Sequence, residues 1–416
     1  MPFSPIPDIL ADLRAGKMVI LTDDEDRENE GDLILPAQFV TPEAITFMLS
    51  VARGYMCLSL TEADCDRLDL HPQSAQNTSA RGTPFTVSID GHPRHGFTTG
   101  VSARERARTI LMAIDPASRP DDFVRPGHIN PLRSRDGGVL VRTGQTEGSV
   151  DLCRLAGLHP SSVIIEIMRD DGEMARMPDL EALAARHGIR IVSVAQIIQH
   201  RLAHEHDSLV RRIEPVEGTP LRTRLGEFHL FAFESIVDPL PHLALTVGGV
   251  GRLDPATRAV VPTPEPTLVR MHRRNLLGDL FLDLDSSPSG PTADTLHESM
   301  RRLQAAGRGA LVYLRPEGRP DRPVGGLSGA NDLESRLQTI RRWTAPGMSE
   351  ESRRAEKALS EQAPLAMRDY GIGVQVLRGL GLRKLRLLTN RQTDLPNLDA
   401  FGLEVVERVP IVVEPK

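Results

Sequence analysis

The chain has 416 residues, 40% of them hydrophobic and 25% charged, with a formal net charge of −6. That length exceeds one ordinary core and predicts two domains. The composition excludes a disordered chain, and the charge excludes a surface that is basic throughout, so no nucleic-acid partner is expected. Lysine is nearly absent: Lys17, Lys357, Lys384 and Lys416 are the four, leaving 46 of the 50 basic residues as arginine. Schiff-base chemistry in the first 356 residues would fall to Lys17 alone. The Gly-Lys-Ser/Thr triplet of a P-loop does not occur. Cys57, Cys65 and Cys153 are odd in number and lack C-x-x-C spacing, which predicts buried, reduced thiols and neither a disulfide framework nor a cysteine-rich zinc site. The start, Met1-Pro2-Phe3-Ser4-Pro5, has no basic stretch before an apolar run, and the longest apolar runs are far short of a membrane span. A cytoplasmic protein without membrane contact is expected.

In chain order, residues 17–21 and 33–37 predict strands. Thr41 and Pro42 open a helix as N-cap and first helical residue, with Ile45, Met48, Leu49 and Ala52 at helical spacing. Ser102 and Glu105 form a capping-box pair ahead of Ile110, Leu111 and Ile114. Residues 139–141 and 162–168 read as strands, 178–187 as a helix, 189–194 as a strand and 194–204 as a helix. Residues 207–218 mix charge with Pro and Gly and lack periodicity, which predicts a linker between domains at 1–206 and 219–416. Beyond it, 225–233, 243–247, 385–389 and 405–413 read as strands, 293–306 and parts of 349–377 as helices, and 316–329 as a loop. The alternation predicts two α/β (α+β) domains, the first a mixed sheet flanked by helices.

Between the first two strands lie seven carboxylates in ten residues: Asp23, Asp24, Glu25, Asp26, Glu28, Glu30 and Asp32. Like charges this close repel. A hard divalent cation relieves the crowding, and Mg²⁺ takes only one or two carboxylates, completing its shell with water and substrate oxygens. A solvated acidic turn is the alternative the residues leave open. Glu166 interrupts an apolar strand, so it needs a partner or the wet face of an alternating pattern. His128 follows Pro126 and Gly127, a turn pair, and is expected on a loop. Arg142, Thr143, Gly144, Gln145 and Thr146 combine a guanidinium, a permissive turn and hydroxyls, as a phosphate cradle would.

Together these segments resemble 3,4-dihydroxy-2-butanone 4-phosphate synthase of riboflavin biosynthesis, from about residue 7 to residue 205. The loop from Asp24 to Asp32 carries the most specific motif. Phe97 to Ala103, Pro126 to Leu132, Gly137 to Leu140, Thr146-Glu147, Asp151-Leu152 and Asp171 to Arg176 add further matches. The resemblance implies that Glu28 bridges two Mg²⁺ ions, with Mn²⁺ as a possible substitute and no organic cofactor. It implies that Arg27 and Asp32 contact ribulose 5-phosphate, that Arg142 and Thr146 hold its phosphate with the turn Thr143-Gly144-Gln145, and that His128 and Glu166 transfer protons. It also implies a homodimer with active sites near the interface. One departure stands out: Gln145 occupies the place of the family's second metal-binding His. An amide oxygen suits Mg²⁺ better than softer metals, which predicts weakened metal binding with chemistry retained; the contrary expectation is an inert protein of the flavin pathway. Glu105 is a smaller departure from the family's Asp.

Residues from about 219 onward resemble GTP cyclohydrolase II more faintly, through Arg270 to His272, Leu276 to Phe281, Glu317 to Arg319, Arg368 to Leu377, Leu387 to Asn390 and Gly402 to Pro410. That family holds zinc with three cysteines, and this half contains none. Asn275 stands in the first ligand's place, 282–285 cover the Cys-x-Cys region, and Ala366 replaces the catalytic Asp. Pro316 and Asp394 mark further losses. A non-catalytic domain without zinc is expected. Arginine pairs at 273–274, 301–302, 341–342 and 353–354 could bind phosphate, but fit solvated helix faces more simply.

Overall fold

The computed structural model describes residues 3–24, 27–74, 77, 79, 82–204, 210–213, 218–235, 238, 240–284, 286–287, 290–315, 367–390 and 398–412, with backbone only at 367–370. The chain forms two compact units that divide at His204 and Glu205.

The first unit runs α1 (Ile6–Arg14), β1 (Val19–Thr22), β2 (Gly31–Pro36), α2 (Pro42–Val51), β3 (Cys57–Leu60), α3 (Glu62–Arg67), β4 (Ile89–Gly91), α4 (Ala103–Ile114), β5 (Phe123–Arg133), α5 (Gln145–Leu155), β6 (Ser162–Glu166), α6 (Met177–His187), β7 (Arg190–Ser193) and α7 (Val194–His204). Seven strands form one sheet in the order β4-β5-β3-β6-β2-β1-β7. The β3–β5 and β1–β7 pairs are parallel and the others antiparallel, so the sheet is mixed, as expected.

Alternation within the strands decides which face each residue serves. Leu33, Leu35, Val163 and Ile165 join Ile45, Met48, Ala107 and Ile110 in a core under α2 and α4. Asp32, Ile34, Ile164 and Glu166 therefore point to the opposite face, the one covered by α5. Helix α5 lies close there: a Cβ on Gly148 would stand 2.9 Å from Leu21, and Ser149 donates to Ser59 on β3 at 3.1 Å. Both predicted N-caps are present, although the Glu105 carboxylate turns to the Thr98 and Gly100 amides instead of closing the capping box on the Ser102 amide. Thr41 Oγ1 accepts from the Ala44 amide at 3.1 Å, and Ser102 Oγ accepts from Glu105 N at 3.2 Å. Cys57, Cys65 and Cys153 are buried and unbridged, and burial pushes the thiols of Cys65 and Cys153 up to about 12.

Two expectations need correction. Residues 139–141 are not a strand: Gly138–Leu140 is a 3-10 turn. Gly137 and Gly138 both have positive φ, and the Val139 amide donates to the buried Asp151 carboxylate at 2.8 Å instead of to a neighbouring strand. His128 is not on a loop but inside β5. Gly127 serves close approach there, since a Cβ would run into the backbone of Ile89 and Asp90 on the adjoining strand.

The second unit contains β8 (Val210–Arg212), β9 (Thr219–Thr223), β10 (Gly226–Ser235), β11 (His242–Val247), β12 (Thr267–Arg273), α8 (Leu276–Leu280), α9 (Thr292–Ala306), β13 (Gly309–Leu314), α10 (Met367–Gly379), β14 (Lys384–Leu388) and β15 (Glu404–Val409). Its mixed sheet runs β15-β14-β12-β13-β11-β10-β8, with β9 on β10. Strand β8 falls inside the segment expected as a linker, yet pairs with β10. Phe228, Leu268, Met300, Leu303, Leu311 and Leu388 form a core beneath α9. The expected loop at 316–329, helices before 367, the 341–342 and 353–354 arginine pairs, Ala366 and Asp394 lie outside the described residues. Among the described residues no helix is long and apolar enough to cross a membrane.

Candidate active site

The site is built where β2 begins and β6 ends, near the N-terminus of α5. The antiparallel register sets Asp32 opposite Glu166. Both carboxylates are taken largely out of water, and an uncompensated pair of this kind is costly. Burial raises the Asp32 carboxyl well above the usual range, and Glu166, Glu28, Asp23 and Glu30 push in the same direction. Burial also raises Glu166, whose Oε2 accepts from the Tyr55 amide at 2.7 Å. Acidic groups are thus crowded at one end of the sheet, where each disfavours the charged form of its neighbours.

The acidic loop turns over this pair. Asp23 Oδ1 accepts from the Glu30 amide at 2.9 Å and Oδ2 from the Glu28 amide at 3.0 Å, while Arg176 holds the loop from outside through the carbonyls of Glu28 and Asn29. Arg27 turns inward, with 3% of its side chain exposed. Its Nη1 lies 2.8 Å from Asp23 Oδ2, 2.7 Å from Glu28 Oε2 and 2.8 Å from Gln145 Oε1. The two residues expected to hold metal, Glu28 and Gln145, therefore converge on one cationic nitrogen.

An anion cradle adjoins them. Gly144 is the N-cap of α5, whose first amides point outward with the positive end of the helix dipole. A Cβ at Gly144 would meet Arg142 Nη1 at 2.6 Å and Arg27 Nη2 at 3.0 Å. Absence of a side chain there lets two guanidiniums approach the helix start. Arg142 is held by Glu147 at 2.6 Å. Thr143 Oγ1 and Thr22 Oγ1 are buried without a hydrogen-bond partner among the described residues; the former hydroxyl lies in the cradle turn. Gly144→Ala is expected to raise the KM for a phosphorylated substrate at least about tenfold, the worth of one charge-assisted hydrogen bond; steady-state kinetics with an unchanged melting curve checks it.

His128 lies exposed on β5, two residues before Asn130, which pairs with Cys57 of β3. Its Nδ1 lies 2.6 Å from Asp90 Oδ2, and its backbone amide donates to Asp90 Oδ1 at 3.0 Å. The carboxylate thus holds the ring through Nδ1. Asp90 carried no signal in the sequence, and neither did Tyr55. Gly100 makes room for Asp90, because a Cβ there would overlap its carboxylate. Glu105 ties down the preceding loop, accepting from Thr98 N at 2.5 Å, Thr98 Oγ1 at 2.9 Å and Gly100 N at 3.1 Å; this longer acid does so from within its own helix.

The donor set fits magnesium. Among the described residues no three His, Cys, Asp or Glu side chains already converge as a metal cluster, but Mg²⁺ asks for fewer protein ligands than that. The carboxylate of Glu28 and the amide oxygen of Gln145 meet at one point now satisfied by a guanidinium, beside buried carboxylates that favour added positive charge.

In the second unit Asn275 caps α8, its Oδ1 accepting from Gly278 N at 3.0 Å. Asp279 accepts from His272 at 3.0 Å, Thr292 Oγ1 at 2.6 Å, Tyr313 OH at 2.7 Å and Asn275 N at 3.0 Å. Burial opposes its charge, but His272 and these donors prevail and hold its pKa at about 2. Its folded pKa lies below the unfolded value, so its contribution to stability is present above about pH 4 and is lost as pH falls toward 2. Asp279→Asn is expected to flatten the acid limb of the second unit's stability profile between those values, measured by denaturant titration.

Comparison with known proteins assigns both halves. Residues 7–200 match the family model of 3,4-dihydroxy-2-butanone 4-phosphate synthase, and residues 214–410 match that of GTP cyclohydrolase II. The riboflavin biosynthesis protein RibBA of Aquifex aeolicus is 45% identical over 416 residues, covering 99% of this chain and 93% of the relative. RibBA of Bacillus cereus strain B4264 is 41% identical, covering 100% and 95%. A crystal structure of RibBX from A. baumannii, described as a two-domain 3,4-dihydroxy-2-butanone 4-phosphate synthase, superposes with a TM-score of 0.59 at 34% identity, covering 98% of this chain and all of that one. The chain belongs to the RibBA family of riboflavin biosynthesis proteins, in which a 3,4-dihydroxy-2-butanone 4-phosphate synthase domain is joined to a GTP cyclohydrolase II domain.

Proposed function

We propose that the first unit converts D-ribulose 5-phosphate to 3,4-dihydroxy-2-butanone 4-phosphate and formate, and that the second unit does not open GTP. The observation that carries the first part is the approach of Arg27 and Arg142 to the turn at Gly144, in the unit that sets buried Asp32 opposite half-buried Glu166. Arg142, Thr143, Gly144 and Thr146 take the phosphate at the α5 N-terminus, and Arg27 completes its charge. Asp32 orients substrate hydroxyls. Glu28 and Gln145 hold Mg²⁺, or Mn²⁺ in its place, which when bound polarises substrate oxygens and acidifies the neighbouring C–H. His128 exchanges protons through Nε2 while Asp90 fixes its ring, and Glu166 exchanges them from the opposite side of the site. The five-carbon substrate divides into a four-carbon ester and formate with no net oxidant and no net water. A homodimer is part of the proposal; light scattering that finds only monomer removes it.

The test is incubation of the full chain with ribulose 5-phosphate and Mg²⁺, with and without chelator. Formate is expected only with free metal. Formation of none at saturating metal, in wild type and Gln145→His alike, supports instead the inert flavin-pathway protein, a reading favoured by one contact, the hold of Arg27 on Gln145. For the second unit the support is chemical: a three-thiolate zinc site needs cysteines, and none follows Cys153. GTP is expected to remain intact in the same mixture supplemented with Zn²⁺, followed by chromatography.

A further inference from the structure

Arg27 has two edges on two sites. Nη1 sits between Asp23, Glu28 and Gln145, while Nη2 reaches the cradle, 3.0 Å from where a Gly144 Cβ would be. A guanidinium forks in this way because its donors are rigid and planar. Its three acceptors on the loop side include both oxygens that the proposed metal would need. A cation entering there must displace Nη1, since two positive centres cannot share the same acceptors at hydrogen-bond distance. A phosphate in the cradle offers Arg27 a second set of anionic oxygens, in bidentate geometry.

We propose that Arg27 is an exchange switch that couples the two ligands: phosphate binding draws it off Glu28 and Gln145, opening the metal position, and metal binding releases it toward phosphate. This rests on the metal-dependent reading above. Linkage makes the effect reciprocal: if phosphate tightens metal binding by some factor, metal tightens phosphate binding by the same factor. Gln145 matters here because its oxygen is an acceptor that Arg27 can hold.

The experiment is a Mn²⁺ titration of the full chain followed by electron paramagnetic resonance, with and without inorganic phosphate and corrected by a protein-free blank. In wild type, saturating phosphate is expected to tighten Mn²⁺ binding at least about fivefold, the lower end of ordinary coupling. Arg27→Gln is expected to bind Mn²⁺ at least about fivefold tighter without phosphate and to gain nothing further from it. Arg27→Lys keeps the charge but has no second edge to span the acceptors and the cradle at once, so it is expected to show no phosphate enhancement of Mn²⁺ binding, and it serves if the Gln variant folds poorly. Phosphate enhancement that survives in Arg27→Gln, or Mn²⁺ affinity indifferent to Arg27, overturns the exchange while leaving the metal reading intact. No Mn²⁺ binding in any variant overturns both.

Discussion

Replacing His128 with Gln is expected to slow formate release by about 10³-fold, within the range that a positioned acid–base group contributes. Gln retains a polar side chain but cannot cycle a proton at neutral pH. The partner position sharpens the test. Asp90 touches His128 twice, at the ring and at the backbone, and is itself buried. Asp90→Asn keeps the volume but presents an amide that can drive the ring into the other tautomer or out of plane, and about a 10²-fold loss in kcat is expected with KM unchanged. A purely structural role for Asp90 would lower the melting temperature and move KM with kcat. Equal activity of His128→Gln and wild type would remove His128 from the chemistry and leave Glu166 to account for proton transfer alone.

What the sequence made legible, and what it hid, follows from how each signal is written. Thr41 and Ser102 announced their helices because capping is a local hydrogen bond and needs no tertiary context. The acidic loop was conspicuous because charge density is a property of composition, although composition alone left a wet turn equally open. Helix α5 went unread because its buried face carries Thr146, Gly148 and Ser149; it packs on the sheet by small and polar residues, so hydrophobic periodicity is weak. Strand β5 was hidden by Pro126 and Gly127, which read as a turn pair when in fact Gly127 allows backbone contact with β4. Residues 139–141 are three apolar positions that are buried, which fits a strand equally well until Gly137 and Gly138 bend the chain. Asp90 was invisible because its role exists only through a strand pairing that brings together positions 38 residues apart. In the second unit the absence of cysteine could be read directly, but the Asp279 hub could not, since its four donors come from three separate segments.

The largest stability effect is expected away from the chemistry, at Arg201. Its Nη1 donates to Asp151 Oδ2 at 2.7 Å and to the Gly137 carbonyl at 2.7 Å, and both side chains of the pair are almost fully buried, at 4% and 3% exposure. Burial raises the Asp151 carboxyl, and Arg201 together with the Val139 amide opposes that. Removing the guanidinium leaves a carboxylate underground with one main-chain donor and a distant arginine, Arg154, at 3.5 Å. Such a broken buried pair costs about 3–5 kcal/mol, so Arg201→Met is expected to lower the transition of the first unit by roughly 6–20 °C for a unit of this size. Substitution of both partners, Arg201→Met with Asp151→Leu, is expected to recover most of that loss, because an apolar pair of similar volume removes the stranded charge. Function should respond separately from stability. The same guanidinium and carboxylate pin the Gly137 to Val139 turn, three residues ahead of Arg142, and the double variant restores packing without restoring that tether. Its melting temperature should therefore approach wild type while its KM for ribulose 5-phosphate stays raised. A change in unfolding free energy below about 1 kcal/mol for Arg201→Met, in the range of an exposed pair, would show that the turn is held by its glycines and backbone alone.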